Sequence, residues 1–284
     1  MNHYTTQSPN FSYGVKHIIC YSGGHSSAIV AIAATEKYGK ENIILLNHDI
    51  NASTEHPDIK RFKNEVSDYL NIPITYANMP RFNELDQFDI CIKEKAFKTN
   101  NTPGICTNRL KTEPFYKWIK TNKITEKNAI IYYGFDANEQ HRIIRRRRIL
   151  KESLGLNTCF PLSDWNIKIK NTSEINIIPP LTYSVFKHAN CTGCLKGGIQ
   201  HWYCVYCKRP DLFDKAKYAE KIIKHSIIKN ITMQDLEIKF NIMQNLKIKP
   251  SEHIQPQKFW TDAKKYIKQN NLNIEDEKPC ECSC

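Results

Sequence analysis

The chain has 284 residues, 40% of them hydrophobic, which is enough apolar material for one large core or two ordinary ones and excludes a disordered chain. No segment approaches the roughly 18 consecutive apolar residues of a membrane span. The first residues lack the apolar core of a secretory signal, so we expect a cytoplasmic protein with no membrane partner. Lys and Arg (41) outnumber Asp and Glu (29), and the net charge of +12 favours a nucleotide or nucleic-acid partner, unless the lysines are only solvated surface.

The first predicted element is a strand over residues 15–21, which leads through the turn SGGHSS into a helix over residues 27–39. Gly23 and Gly24 permit positive φ and close approach of the backbone. Free N–H groups at the start of the helix, beside serine hydroxyls, form an anion site. The alternative is a Gly-Gly turn with serine caps, but open α/β sheets place their ligands at such a β–α junction. The predicted phosphate-binding residues are Ser22, Gly23, Gly24, Ser26 and Ser27.

A second β–α–β unit is predicted next in the chain. Residues 41–51 form an apolar run of strand length that ends in polar residues, among them His48 and Asp49. Residues 53–77 then show a helical pattern followed by a third strand. Alternation of this kind is typical of a mainly parallel sheet.

Residues 106–120 predict a short helix that begins with cationic side chains. Arg109 and Lys111 precede Pro114, and apolar residues on one face follow. By itself this pattern indicates a surface helix.

A more basic helix is predicted within residues 128–150, after a strand and a turn at Gly134. Glu139, Arg142 and Arg146 are spaced to share one helical face. The planar guanidinium of arginine suits bidentate binding of phosphate. The run from 145 to 148 indicates either a solvated face or contact with a nucleic-acid backbone.

A cysteine module follows, with the pattern C-x2-C-x9-C-x2-C. Two CxxC pairs can bring four thiolates to one centre, either zinc or a four-iron cluster, and the spacing does not choose between them. The alternative is a set of reduced, partly buried thiols. The predicted metal ligands are Cys191, Cys194, Cys204 and Cys207. Helical patterns continue beyond them, so we expect an α/β domain over residues 1–155 and a mostly helical, cysteine-containing region over residues 156–284.

Four blocks in this order resemble the adenine nucleotide alpha-hydrolases, which include the phosphoadenosine phosphosulfate (PAPS) reductases and the PP-loop ATP pyrophosphatases. SGGHSS is similar to their SGGxDS loop, with Ser26 where many relatives carry Asp. The block CTNRLKTEP is similar to one in PAPS reductases and, more closely, in the sulfur-handling subunit of DNA phosphorothioation systems. G-x-x-x-x-E-x-x-R begins at Gly134, and C-x-x-C-x-K-G-G-x-x-x-W begins at Cys191.

This resemblance implies a mainly parallel five-stranded sheet with helices on both faces, followed by a cysteine-bearing helical extension. It also implies that Arg142 and Lys111 neutralise charge during catalysis. His25 would supply a proton or a hydrogen bond, or else point to solvent. The residues implied to border the nucleotide are His25, Asp49, Arg109, Gly134 and Glu139.

The activity implied is cleavage of ATP, with Mg²⁺, between the α and β phosphates in support of sulfur-related or nucleic-acid modification chemistry. The resemblance favours a [4Fe–4S] cluster over zinc, and in it Cys106 or a C-terminal cysteine would join Cys191 and Cys194. A protein sulfur donor or redox partner and a homo-oligomer are compatible with it.

Two other functions stay open. In the first, the protein reduces PAPS or its unphosphorylated analogue, with Cys282 as the nucleophile, because Glu281-Cys282 resembles the first half of the reductases' Glu-Cys-Gly-Leu-His motif. In the second, the fold binds nucleic acid as a regulator without turnover. Ser26 and the arginine run motivate this regulatory function.

Overall fold

A computed structural model describes residues 14–98, 104–189 and 191–270 of the chain. Contacts within the chain divide it into two compact units. The first comprises residues 1–49, 57–83 and 110–181, and the second comprises residues 50–56, 84–109 and 182–284. The sequence predicts one boundary near residue 156, whereas the chain passes between the two units several times, and residues 156–181 belong with the first unit.

The first unit is built on a five-stranded sheet in which all neighbouring strands are parallel. The strands run in the order β3-β2-β1-β4-β5. This confirms the predicted α/β class with a parallel five-stranded sheet and is compatible with a Rossmann-like fold. The strands are β1 (Lys16–Cys20), β2 (Ile43–Asn47), β3 (Ile74–Tyr76), β4 (Ala129–Tyr132) and β5 (Asn157–Cys159).

Helices connect and flank these strands. In the first unit they are α1 (His25–Tyr38), α2 (Pro57–Leu70), α5 (Glu113–Thr121), α6 (Gln140–Leu154) and the short α7 (Pro161–Asp164). In the second unit they are α3 (Gln87–Glu94), the short α4 (Ile105–Thr107), α8 (Ile199–Lys208), α9 (Pro210–Ile223), α10 (Met233–Asn245) and α11 (Pro256–Gln269). A π-helical turn (Asn108–Thr112) separates α4 from α5.

Both faces of the sheet are covered, as predicted, because successive side chains of each strand enter opposite cores. On β2, Leu45 packs into a cluster with side chains of α1 and α2. Its neighbour Ile44 packs into a second cluster with Phe115 of α5 and Leu150 of α6. β2 is accordingly buried along its whole length. A strand covered on both faces shows a continuous apolar run rather than an alternating one, which is why IILLN predicts a central strand.

The second unit has its own apolar core, formed mainly by helices. Trp202, Phe213, Phe240 and Phe259 are buried together there. The apolar residues of α9, α10 and α11 recur at helical spacing, so each helix presents one stripe to this core. No helix in the described ranges combines the length and apolarity needed to cross a bilayer.

Candidate functional site

The loop between β1 and α1 makes a tight turn at Gly23, whose φ is +82°. Gly23 is buried, and a Cβ added to it would lie 2.7 Å from the side chain of Lys63 on α2. Both the positive φ and the close packing therefore require glycine. Gly24 is the N-cap of α1, and no described side chain caps the helix there. The start of an α-helix carries N–H groups without partners inside the helix, so this end of α1 is suited to an anion.

The serines of this loop divide into two kinds. Ser22 and Ser26 are exposed, so their hydroxyls are accessible to a bound group. Ser27 is buried, and its hydroxyl donates a hydrogen bond to the carbonyl of Gly24 at 2.8 Å. Its oxygen also lies 3.3 Å from that of Ser22. Ser27 therefore stabilises the turn, whereas Ser22 and Ser26 can contact a ligand.

Gly134, which follows β4, packs directly on this loop. A Cβ at position 134 would meet the backbone of Ser26 and Ser27 at 2.9–3.0 Å. Strands β1 and β4 are neighbours at the point where the strand order reverses. Open α/β sheets bind ligands in the crevice at this point, beyond the carboxyl ends of the strands. The structure therefore brings together the predicted loop and the predicted glycine at the expected edge of the sheet.

Two buried polar residues support the loop from below, and neither was predicted from the sequence. Lys63 is 1% exposed, and its ammonium donates to Oδ1 of Asn47 at 3.3 Å. Asn47, at the end of β2, donates through Nδ2 to the carbonyl of Tyr21. The available signals were an asparagine ending an apolar strand and a lysine on the apolar stripe of α2.

His25 is half-buried and does not point freely to solvent. Its Nε2 accepts a hydrogen bond from the N–H of Thr172 at 3.3 Å. Burial lowers the pKa of His25, and a hydrogen bond with Asn171 partly offsets this effect. His25 therefore holds the segment 171–172 against the start of α1 in its neutral form.

A cavity of about 200 Å³ opens beside His25 and Ser26. It was not predicted, because its remaining walls come from residues far along the chain. These are Ile29, Leu162, Trp165, Ile167 and Lys170. The walls are mixed apolar and aromatic with one lysine, which suits a flat ring beside an anionic group.

Polar residues after β2 occupy the neighbouring part of the same edge. Asp49 pairs with Lys60 at 2.9 Å, and its N–H donates to Oδ1 of Asn78 at 2.8 Å. His48 contacts the carbonyl of Ala77 through Nδ1 at 2.6 Å. Burial lowers the pKa of His48 to about 4, the bond to Ala77 opposes this, and the charge of Lys111 adds to it. The pKa effect indicates that Lys111 lies near this edge of the sheet.

The two cations of the CTNRLK block belong to different units. Lys111 lies in the first unit, in the π-helical turn before α5. Arg109 belongs to the second unit, where its Nε lies 3.0 Å from a carboxylate oxygen of Glu94. π-Helical insertions often occur at functional positions, which agrees with a role for Lys111.

Arg142 and Glu139 form an ion pair with each other. The guanidinium of Arg142 also stacks on the ring of Phe135, 4.1 Å from its centroid. Glu139 further accepts from the N–H of Asp136 at 3.3 Å and so closes the turn before α6. Glu139 thus has a structural role, while half of the Arg142 side chain stays exposed at 49%.

Cys191 and Cys194 lie on a loop of the second unit that several side chains hold in place. Gln87 donates to the carbonyls of Thr192 and Gly193 at 2.9 and 3.2 Å. The N–H of Cys194 donates to Nε2 of His201 at 3.1 Å. Nδ1 of His201 lies 2.5 Å from a carboxylate oxygen of Glu252, which fixes the ring. Both thiols are partly exposed.

Cys204 and Cys207 lie on α8 in a different environment. Cys204 is fully buried in the core, and burial raises the pKa of its thiol to about 12. Burial also raises the pKa of Cys207. Within the described ranges no three His, Cys, Asp or Glu side chains form a group that could hold a metal ion. Cys204 is therefore buried in the apolar core, whereas Cys191 and Cys194 lie on a partly exposed loop.

A second pair of thiols was not anticipated from the spacing. Cys91 on α3 is buried. A hydrogen bond with Cys106 is the largest cause that raises the pKa of the Cys91 thiol, and burial is the next. The family resemblance connects Cys106 only with Cys191 and Cys194. The predicted nucleophile Cys282 lies outside the described residues.

Comparison of the chain with known families, with curated proteins and with solved structures found no match. What the chain does is therefore inferred from its residues and their geometry. The best-defined arrangement is the Ser22–Ser27 loop with Gly134 and the buried Lys63.

Proposed function

We propose that the chain is a PP-loop enzyme, similar to the PAPS reductases and adenine nucleotide alpha-hydrolases, that binds ATP and cleaves it between the α and β phosphates. One observation carries this proposal. A glycine-containing loop with two exposed serines and the start of a helix lies at the switch point of a parallel sheet. The neighbouring strand is followed by Gly134, where only glycine fits against that loop. Such a site suits a chain of phosphates.

The residues would share the work as follows. The N–H groups at the start of α1 and the hydroxyls of Ser22 and Ser26 would hold phosphate oxygens. Lys111 and Arg142 would neutralise negative charge as it develops on the leaving group. Water or an oxygen nucleophile of the acceptor would attack the α phosphorus and break its bond to the α–β bridging oxygen, so that pyrophosphate leaves. Water gives AMP directly, and an adenylated acceptor releases AMP when a second nucleophile displaces it.

The activated adenylate would then support sulfur-related or nucleic-acid modification chemistry. A protein sulfur donor or redox partner would supply the second half-reaction. Cys191 and Cys194 stay candidate ligands for a [4Fe–4S] cluster or zinc, with Cys106 or a C-terminal cysteine completing the set. No step proposed for the nucleotide depends on that centre.

The test is product analysis with ATP labelled at the α phosphate, in the presence of Mg²⁺. We expect AMP and pyrophosphate, and we expect Gly134→Ala to reduce their formation by about 100-fold, because a Cβ there would displace the loop backbone and misplace the phosphates. Gly198→Ala is the matched control. Position 198 has φ −76° and open space around its Cβ, so this change should leave the rate unaltered.

Other outcomes would redirect the assignment. Formation of ADP and phosphate would contradict cleavage at the α–β bond. Release of sulfite from PAPS, dependent on a thiol reductant, would favour the reductase function. Tight ATP binding without turnover, together with salt-dependent DNA binding, would favour the regulator.

A further inference from the structure

Helix α6 carries a concentration of positive charge. Within Gln140–Leu154 there are five arginines and one lysine against a single acidic residue, Glu152. Arg142, Arg145, Arg147 and Arg148 are exposed, and Arg146 is partly so. A charge density of this kind on one short helix repels itself unless an anionic partner or salt compensates it.

Three of these arginines are held in place by aromatic rings. The rings of Tyr133, Phe135 and Phe160 lie nearly parallel, with interplanar angles of 20–24° and centroids 5.5–6.0 Å apart. Arg142 stacks on Phe135 at 4.1 Å, Arg146 on Tyr133 at 5.2 Å and Arg147 on Phe160 at 5.4 Å. We call these three arginines on their three rings the arginine face.

Stacking has two consequences for binding. A guanidinium held over the face of a ring keeps N–H groups available for bidentate contact with phosphate. Its rotamers are also restricted before a ligand arrives, so less conformational entropy is lost on binding. The arginine face is therefore better prepared to bind phosphate than a set of free lysines.

Carboxylates do not neutralise most of this charge. Arg142 pairs with Glu139, and Arg148 lies 4.0 Å from Glu152. Within the described parts of the chain, Arg145, Arg146 and Arg147 have no carboxylate within 4.0 Å. An intramolecular ion-pair network therefore does not account for these three side chains.

The arginine face also begins at the nucleotide site. Tyr133 and Phe135 flank Gly134, which packs on the backbone of Ser26 and Ser27. From Arg142 to Arg147 the helix axis advances about 7.5 Å, which is more than a single phosphate group occupies. Successive phosphates of one strand advance about 3.4 Å each along a duplex, so this length matches a run of phosphates.

We propose that the arginine face binds the phosphate backbone of a nucleic acid and holds it beside the nucleotide loop. Calling that nucleic acid the substrate to be modified rests on the proposed function, whereas the binding itself does not. Charge complementarity identifies the partner. Its contacts are to the backbone, so binding depends on salt and little on base sequence.

The experiment measures binding of the full-length protein to a fluorescent 20-base-pair DNA duplex, and to an RNA duplex of the same sequence, across a salt series. The test variant is Arg146→Gln/Arg147→Gln, which changes the two members of the arginine face that have no role in the proposed catalysis. The matched control, Lys265→Gln/Lys268→Gln, removes the same charge from exposed positions of α11. A third variant replaces the same two arginines by lysine, which keeps the charge and removes the stacking.

We expect the arginine-to-glutamine variant to bind at least tenfold more weakly at low salt. The slope of log K against log salt should fall by about 0.9 for each phosphate that the variant no longer neutralises. The α11 control should bind as the wild type does. The arginine-to-lysine variant should have an affinity between those of the wild type and the arginine-to-glutamine variant. Preference for DNA or for RNA identifies which of the two supplies the backbone.

Three results would overturn the proposal. One is a wild type that binds neither duplex at low salt. Another is equal weakening in the arginine variant and the α11 control, which would indicate net charge alone. The third is a wild type that binds vesicles with an anionic lipid headgroup but binds neither duplex. A wild type that forms AMP but binds no nucleic acid would remove this inference alone, and a wild type that binds nucleic acid but forms no AMP would remove the proposed enzyme alone.

Discussion

At the scale of single residues, the least expected feature is the buried lysine beneath the Ser22–Ser27 loop. Lys63 packs its aliphatic carbons where a side chain at Gly23 would otherwise lie, and its ammonium reaches Asn47 and the face of the Tyr76 ring, 5.8 Å from its centroid. A buried charge is stabilising only when hydrogen bonds satisfy it. Lys63 therefore connects α2, β2 and the loop.

Lys63→Met keeps the volume of the stem and removes the ammonium. We expect the free energy of unfolding to fall by about 1–3 kcal/mol, because Oδ1 of Asn47 loses a charged donor in a buried setting. Urea denaturation measures this. Lys60→Met, on the exposed side of the same helix, removes only a partly solvated ion pair with Asp49 and should change stability by about 1 kcal/mol or less. Equal stability of Lys63→Met and wild type would contradict the role of Lys63.

His48 makes stability depend on pH. Burial lowers the pKa of His48 to about 4, below its usual value near 6.5. As pH falls below 6.5 the unfolded chain takes up the proton first, so stability falls, by about 1.4 kcal/mol per pH unit for one such group, until the pH approaches 4.

His48→Asn should remove this part of the slope. The measurement is the free energy of unfolding at pH 7, 6 and 5 for the variant and the wild type. His141→Asn, at an exposed position of α6, should keep the wild-type slope. Parallel curves for His48→Asn and wild type would mean that His48 is not buried in its neutral form.

At the scale of elements, the two CxxC pairs of the cysteine module lie in different local structures. Two CxxC pairs predict four ligands around one centre. The first pair lies on a loop fixed by Gln87 and His201, whereas the second pair lies on α8, where Cys204 is fully buried. The period of the helix, and not the spacing, decides where that thiol points.

Cys204→Ala should therefore lower the free energy of unfolding by about 1–2 kcal/mol, because the core packs less tightly around alanine, without changing the metal content. Iron, sulfide and zinc are measured after anaerobic purification of this variant, of Cys191→Ser and of the wild type. If a metal centre is present, Cys191→Ser should lose it and Cys204→Ala should retain it. Loss of metal in Cys204→Ala with unchanged stability would restore the four-cysteine centre.

The regular elements near the loop were more predictable. The helix expected over residues 27–39 begins at His25 and ends at Tyr38. Every residue from Ser27 to Ala34 is buried, so the buried face of this helix is broad. In the sequence this face corresponds to an uninterrupted run of small and branched apolar residues after Ser27. Gly39, with φ +80°, ends the helix as the sequence indicates.

At the scale of the whole molecule, the chain does not divide where its composition changes. The cysteines and helical patterns predict one boundary near residue 156, but residues 84–109 belong with the C-terminal helices. Phe88 and Cys91 of α3 share the core that contains Trp202 and Phe213. Local periodicity reports that α3 has an apolar side, but it does not report which partner covers that side.

The sequence by itself determined the alternation of strands and helices, the parallel sheet and the position of the Ser22–Ser27 loop. Those features depend on local signals, namely apolar runs of strand length, helical periods and glycines at a β–α turn. The tertiary structure decided which distant residues meet them: Gly134 on the loop, Lys63 beneath it and Trp165 beside it. It also decided that Cys204 is buried. These contacts depend on strand order and helix packing, which arise from the burial of all the apolar faces together and are not encoded in any one segment.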